Sequence, residues 1–338
     1  MKLTVRTLTI AVASLSLGGC AATGDTDETG ALSSAISTER ELHASGPRHF
    51  RPRRPSDGDG ETETDPSSPA GTSASTVTPP SYHGGPVILG TTRVYYIYYG
   101  NWSFGTATSA TNRVLEDFAR NVGGSSYYAI NTTYPTTQSG TRQYVSNAVA
   151  HGGSYLRLNT ASSVTLTETD IANIVKESID RGALPIDTHG VYFVVAAPNV
   201  TESGHCTTFC GWHDHGTING LDLKYSFIGN AGRCLANCAA SQNQSVSPNG
   251  NPVADAMVNT IAHELDEAVT DPDINAWYAD DGNRSENGDL CNWNFGTTYA
   301  TANGARANVR LGSRDFLVQR NWVRNAFSPS QGCAISYP

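Results

Sequence analysis

The chain has 338 residues, of which 38% are hydrophobic and 16% are charged, and its formal net charge is −9. A chain of this length is long enough for one large domain with a well-formed core. The negative balance argues against general nucleic-acid binding, because contacts with phosphates need a basic face.

The first 20 residues have the pattern of an export signal. Two basic residues precede a mostly apolar run over 8–17, which is too short to span a bilayer and is typical of a signal-peptide core. Residues 17–20, Leu-Gly-Gly-Cys, resemble a bacterial lipobox, so we expect a diacylglycerol on Cys20. The alternative is an ordinary secretory signal that is cut nearby, with Cys20 incidental. We expect export to the cell envelope, anchored in the outer membrane or at the cell surface, or otherwise secretion.

A polar segment over 21–80 follows the signal. It is rich in Thr, Ser, Asp, Glu, Gly and Pro and has few large apolar residues, which is typical of disorder. Four arginines between 48 and 54 precede an acidic run over 57–65. We interpret the segment as a solvated tether; a contact with cell wall or lipid, or a removed pro-region, are the alternatives. The globular part then covers 81–338.

The globular part mixes strand and helix patterns. Residues 92–99 and 191–197 are rich in β-branched and aromatic side chains and predict buried strands, and 224–228 predicts another. Helices are predicted over 110–122, from a capping box at Thr167 to about 181, and over 253–270, with weak strand signals near 307–318. The sequence therefore predicts one α/β domain with a mixed sheet flanked by helices and disulfide-braced loops.

Six cysteines remain when Cys20 is set aside, and in an exported domain they can form three disulfides. Their pairing is not fixed by sequence. The expected pairs are Cys206–Cys210, Cys234–Cys238 and Cys291–Cys333, and crosswise pairing of the two Cys-x3-Cys segments is the alternative. Zinc on those four thiolates is a weaker interpretation, because an oxidising compartment favours disulfides.

The helix over 253–270 carries the most informative residues, His263-Glu264-Leu265-Asp266-Glu267. His263 and Glu267 are one turn apart and form a two-ligand metal clamp, next to which Glu264 is placed to act as a general base. This resembles the zincin motif His-Glu-x-x-His, with Glu267 in place of the second histidine. Glu286 is the expected third ligand, and Asp271 and Asp289 are alternative ligands or groups that hold the ligands in place. Zinc is the expected metal, although the carboxylates also admit manganese or calcium.

Two other polar segments have possible roles. His213 and His215 lie on a predicted disulfide-braced loop, where either supplies a metal ligand or a donor that steadies the transition state; a solvated loop without a catalytic part is the alternative. Residues 280–289 alternate hard oxygen donors with turn residues, which indicates either a calcium loop or a polar turn.

The chain resembles the phosphate-induced protein 1 (EXORDIUM-like) family from about residue 82 to the C-terminus. The resemblance lies in YHGGPVILGTTRVYYIYYG over 82–100, GALPIDTHGVYFVVAAPNV over 182–200, CTTFCGWHDHG over 206–216 and YSFIGNAGRCLANC over 225–238. It implies an extracellular protein of that fold. Plant members are linked to growth and have no established enzymatic activity, whereas the AHELDEAVTDP segment resembles the microbial branch.

Two functions are compatible with these features. The first is a metal-dependent hydrolase, most directly a peptidase, that uses the clamp on the 253–270 helix. The second is a non-catalytic envelope protein that binds a glycan or a protein partner, with at most a structural metal. A metal clamp in an exported domain favours an extracellular peptide as substrate and the membrane, through Cys20, as a partner.

Overall fold

The computed structural model describes residues 48–53, 77–102, 106–324 and 332–338, without the side chains of 48 and 106–109. Cys20, the predicted signal and most of the predicted tether lie outside these ranges. Residues 48–53 belong to that tether and lie against the domain, with 48–50 paired in its sheet.

A six-stranded mixed sheet forms the centre of the molecule. Its strands are β1 (Arg48–Phe50), β2 (Thr92–Gly100), β3 (Val149–Leu158), β4 (Gly190–Ala196), β5 (Gly211–Ile218) and β6 (Leu221–Ile228). Their spatial order is β1-β5-β6-β4-β2-β3. Strand β5 is antiparallel to both of its neighbours, whereas β6, β4, β2 and β3 run parallel. The predicted mixed α/β class is therefore confirmed.

The central strands are apolar along their whole length because both faces of the sheet are covered. All seven residues of β4 are buried, and in β2 only Arg93 is exposed. Such continuous runs of β-branched and aromatic residues are typical of parallel strands buried on both faces. The strands predicted over 92–99, 191–197 and 224–228 are confirmed, with small shifts in their ends.

Within the described ranges, three long helices pack around the sheet: α1 (Thr106–Asn121), α2 (Glu168–Asp180) and α3 (Pro252–Thr270). Helix α2 begins with the predicted capping box, in which Thr167 and Asp170 bond each other's backbone N–H groups. Helix α1 is fixed on β2, because the hydroxyl groups of Tyr96 and Tyr98 donate to carbonyl groups of α1 at 3.1 and 3.3 Å.

Helix α3 lies at the centre of the domain. The Asn251 side chain caps its first turn, and Pro252 stands where a missing N–H costs no hydrogen bond. Every residue from Ala254 to Thr270 is buried, because α3 contacts α1, the strands β4 to β6 and the short helix Leu235–Cys238. Polar groups on this helix are consequently held away from bulk water.

The remaining chain forms short elements. Two-stranded pairs join Pro80–Tyr82 with Trp277–Ala279, Pro135–Thr136 with Gln143–Tyr144, Val164–Leu166 with Val200–Glu202, Tyr299–Ala300 with Arg306–Ala307, Val309–Leu311 with Arg314–Phe316, and Asn321–Val323 with Gly332–Ala334. Single 3-10 turns cover Tyr128–Thr133, Ala231–Arg233, Ser241–Asn243 and Asp289–Cys291. Among the described residues, no helix is both long enough and apolar enough to cross a bilayer.

Three disulfides are present, but two of the expected pairings are wrong. The bonds run crosswise between the two Cys-x3-Cys segments, as Cys206–Cys234 and Cys210–Cys238, and do not close within each segment. The third expected pair, Cys291–Cys333, is confirmed. The physical reason is topology. Strands β5 and β6 form a hairpin, so the segment before β5 and the segment after β6 lie side by side.

Candidate functional site

The segment that carries His213 and His215 is a strand, so the expectation of a loop is wrong. Residues 211–218 form β5, in which every residue from 211 to 215 is buried. The two histidines are two residues apart and therefore point to the same face of the sheet. That face contacts helix α3. The strand was not predicted because its sequence is polar and follows two cysteines. Its polar side chains are nevertheless buried, because they contact other polar groups.

His213 meets the acidic side chains of α3. Its Nδ1 lies 3.1 Å from Glu264 Oε2 and 3.6 Å from Glu267 Oε2, and its Nε2 lies 3.7 Å from Glu286 Oε1. His213 is 1% exposed, and the three glutamates are 0% exposed. A histidine that bonds a carboxylate through one ring nitrogen and presents the other is the usual arrangement of a metal ligand.

The expected ligands divide into two groups that share Glu267. One ligand atom each from His213, Glu267 and Glu286 lie within 4.8 Å of one another, and the same holds for His263, Glu267 and Asp289. The helical clamp of His263 and Glu267 is therefore present, with His263 Nε2 3.0 Å from Glu267 Oε1. Glu286 joins Glu267 as expected, but it does so beside His213.

Gln319 shows which nitrogen of His263 carries the proton. The Gln319 amide nitrogen donates to Gly288 O at 2.9 Å and lies 2.9 Å from His263 Nδ1. Because an amide nitrogen only donates, His263 Nδ1 accepts, and the neutral ring carries its proton on Nε2. Burial lowers the pKa of His263 to about 4, so the ring is neutral at neutral pH. His263 Nε2 lies 3.0 Å from Glu267 Oε1 but does not have the alignment of a hydrogen bond.

Glu264 lies beside the two groups of ligand atoms. Burial raises its pKa well above the ordinary value, and the negative charges of Glu267 and Asp289 raise it further, against a hydrogen bond from the Phe50 backbone. Its Oε1 has no hydrogen-bond partner among the described residues. Glu264 therefore has a carboxyl oxygen available, as a general base requires. The buried cluster of His213, Glu264, Glu267 and Glu286 is called the centre below.

Asp289 and Asp271 hold other parts of the centre in place. The backbone N–H of Asp289 donates to Glu267 Oε1 at 3.0 Å, and its side chain accepts from the Glu286 N–H at 3.2 Å. Asp271 ends α3, where its Oδ1 accepts backbone N–H groups of Asn275 and Ala276. Asp289 thus orients both glutamates, and Asp271 shapes the turn that follows the helix.

The polar segment 280–289 is a turn that delivers Glu286. Asp281 Oδ1 accepts the N–H groups of Asn283 and Ser285 at 2.9 and 3.2 Å, so its oxygens serve the turn itself. Five residues later the chain is buried at Glu286 and Asn287. The first half of 280–289 is therefore a polar turn. The second half places Glu286 beside His213 and Glu267.

His215 belongs to a separate cluster. Its Nδ1 lies 3.0 Å from Asp222 Oδ1, and Lys224 lies 2.8 Å from Asp222 and 2.6 Å from Asp273. Burial lowers the pKa of His215, but the hydrogen bond and charge of Asp222 outweigh it and raise that pKa overall. The structure therefore separates the two histidines that the sequence treats alike.

Two contributors were missed in the sequence. Gln319 lies between an apolar run over 316–318 and the polar residues Arg320 and Asn321, so nothing in the sequence marks it as buried. Phe50 is 0% exposed and its ring lies 4.4 Å from the His263 ring and 4.9 Å from that of Trp293. It lies in a segment of disordered composition, where a three-residue strand leaves no pattern.

Comparison with known proteins gives consistent matches. A family model described as the phosphate-induced protein 1 conserved region matches residues 81–313. Protein EXORDIUM-like 5 of Arabidopsis thaliana is 29% identical over 280 residues, which cover 72% of this chain and 75% of the relative. Protein EXORDIUM-like 3 of the same plant is 28% identical over 272 residues, covering 71% and 79%. No solved structure gives a significant match.

Proposed function

This chain belongs to the phosphate-induced protein 1 family, and we propose that within it the protein is an exported, metal-dependent hydrolase that acts on peptides. The observation that carries the proposal is the buried centre around Glu267. There, His213, Glu267 and Glu286 bring ligand atoms within 4.8 Å of one another, beside Glu264. Helix α3 would then serve as a zincin-like active-site helix.

The donor set fits a divalent cation. Three glutamates share one fully buried region, and burying like charges together is costly unless protons or a cation offset them. One imidazole and two carboxylates suit zinc, and the carboxylate share also admits manganese or calcium. A bound cation would polarise a peptide carbonyl and make water a better nucleophile at neutral pH.

Glu264 takes the proton of the attacking water in this proposal. Its carboxyl must be ionised for that role, and the charges of Glu267 and Asp289 oppose ionisation when they act alone. Positive charge in the centre offsets them. His213 holds one Glu264 oxygen at 3.1 Å, which leaves Oε1 to face the water. Glu264 is therefore aligned by its contact with His213.

His263 and Asp289 act as positioning residues for Glu267. The Asp289 backbone N–H donates to Glu267 Oε1 at 3.0 Å, and His263 Nε2 lies 3.0 Å from the same oxygen. Gln319 holds the His263 ring from its other side. In this proposal His213 is a ligand in place of His263, and His215, whose Nδ1 lies 3.0 Å from Asp222 Oδ1, has no part in the reaction.

The test is metal content together with a substitution of the base. Protein purified without chelator should hold one equivalent of divalent metal by elemental analysis. Glu264→Gln should keep that metal and lose about 10²–10⁴-fold in peptide hydrolysis, the usual contribution of a general base. Glu177→Gln on the surface of α2 is the control and should change neither. Background metal content, or no peptide hydrolysis by the wild type, would favour the non-catalytic binding protein instead. Full hydrolysis in Glu264→Gln would show that Glu264 is not the base.

Export and lipid anchoring complete the proposal. They are supported by the signal pattern that ends at Cys20 and by three disulfides, which persist in oxidising compartments. Cys20→Ala should move the protein from the membrane fraction to the soluble fraction after cell lysis. A protein that stays soluble with Cys20 intact would contradict the anchor but not the hydrolase.

A further inference from the structure

The edge of the sheet nearest the centre is occupied by the chain's own residues 48–53. Strand β1 pairs antiparallel with β5, with Arg48 opposite His213 and Phe50 opposite Gly211. Without β1, β5 would be an edge strand of this sheet, antiparallel to its remaining neighbour β6. Unpaired edge strands are ready-made sites for an added peptide strand.

Hydrogen bonds to the main chain of residues 50–53 hold this segment in place. The Cys210 N–H donates to Phe50 O at 2.7 Å, and the Arg53 N–H donates to Asn237 O at 2.7 Å. Trp293 Nε1 donates to Arg51 O at 3.0 Å. Contacts of this kind depend little on which side chains the segment carries, so the same groups can hold another extended peptide.

Side chains add selectivity at one position. The Phe50 ring fills a fully buried pocket between the rings of His263 and Trp293, whereas His49 points to the other face and stacks on Phe209 at 5.0 Å. The pocket therefore fits an aromatic side chain. The segment is basic, and the centre below it contains three glutamates, so the charges are complementary.

The segment crosses the centre itself. Phe50 pairs with Gly211, two residues before His213, which contacts Glu264, the group proposed as the base, and the Phe50 ring lies 4.4 Å from that of His263. A peptide in this position would present its backbone to Glu264, and while residues 48–53 lie there no other peptide can. We propose that the groove along β5, with the Phe50 pocket, is the binding site for extended basic peptides with an aromatic residue, and that residues 48–53 occupy it as an internal competitor. This rests on the proposed function only for what happens to the peptide after binding.

Peptide binding tests the groove without requiring hydrolysis. A fluorescein-labelled peptide of residues 46–53 is titrated with the full-length protein and its variants, and anisotropy is recorded. Phe50→Ala should bind it at least about ten-fold more tightly than the wild type, because the internal segment, at an effective concentration of about 1 mM, no longer fills the pocket. His49→Ala loses a contact of the same segment outside the pocket and should show a smaller gain.

The label peptide with alanine in place of its phenylalanine checks the pocket. It should bind the Phe50→Ala protein at least about ten-fold more weakly than the original, since aromatic rings dominate such pockets. Equal binding of the two peptides, or no gain in Phe50→Ala over the wild type, would overturn the inference. Intact mass and circular dichroism verify the disulfides and fold of each variant.

The wild type gives a measurement that does not depend on any variant. Excess unlabelled peptide should speed hydrogen exchange of residues 48–53 as it displaces them, and unchanged exchange at saturating peptide would overturn the inference. Failure of the hydrolase proposal is distinguishable. If the labelled peptide binds as described but Glu264→Gln and the wild type are equally inactive, the groove stands and the catalytic proposal fails.

Discussion

Two histidines on one strand meet two acidic clusters, and the clusters differ in what balances their charge. His213 lies among Glu264, Glu267 and Glu286, all fully buried. His215, two residues along, faces Asp222 and Asp273, which share the ammonium group of Lys224. The second cluster contains its own cation, because Lys224 reaches both carboxylates.

The comparison shows that similar ligand geometry does not mean a similar site. Both clusters place a histidine nitrogen and two carboxylates within 4.8 Å. A divalent ion at the His215 cluster would have to approach Lys224, which lies 2.6 Å from Asp273, and like charges repel at such distances. The proposed function assigns the metal to the Glu267 cluster, because its carboxylates and the neutral His263 ring favour added positive charge.

The largest expected effect separates the two histidines directly. His213→Ala should lower the affinity for the divalent metal by more than about 100-fold, because losing even a residue that only orients a ligand typically costs 10–100-fold. His215→Ala, on the same strand and face, should leave the affinity unchanged. Competition with a fluorescent chelator measures both. Equal losses in the two variants would erase the distinction between the clusters.

A smaller expected effect is the pH dependence of stability that comes from the cluster of His215, Asp222, Lys224 and Asp273. Burial acts to raise the pKa of Asp222, but hydrogen bonds to His215 and Lys224 outweigh it and lower that pKa to about 2. The stability that Asp222 contributes is therefore present above its ordinary pKa of 3.8 and is lost as the pH falls through about 2.

Asp222→Asn should accordingly lower the free energy of unfolding by about 1 kcal/mol at pH 5, since its side chain is 42% exposed and solvent screens the pair. The difference from the wild type should shrink towards pH 2. Urea unfolding at both pH values measures it, and Asp180→Asn, in an exposed pair with Lys176, should give a smaller change. A difference that does not depend on pH would show that Asp222 acts by packing and not by charge.

Periodic apolar patterns made the long elements predictable. Helix α3 was predicted to within one residue because its apolar side chains recur at helical spacing and Pro272 follows its end. The proximity of His263 to Glu267 follows from that spacing. Glu286 was expected near Glu267 because zincins of one type take their third ligand from a glutamate further along the chain.

The partner of Glu286 could not be predicted, because it depends on tertiary contacts. His213 reaches the centre through a strand that has no alternating apolar pattern, and Gln319 arrives from a distant loop. The crosswise disulfides depend on a hairpin whose first strand was not recognised. The position of Phe50 depends on the pairing of the short strand β1 with β5, and no local sequence pattern predicts that pairing.

The crosswise disulfides have a mechanical consequence for the centre. A single covalent link between two segments acts as a pivot about which they can rotate, whereas two links four residues apart in both segments act as a brace. Cys210 stands three residues before His213, so the brace fixes the torsional orientation of β5 where it enters the centre. Reducing one of the two disulfides would leave a single link, about which β5 can rotate. The His213 imidazole could then change its orientation while the two segments stay covalently joined.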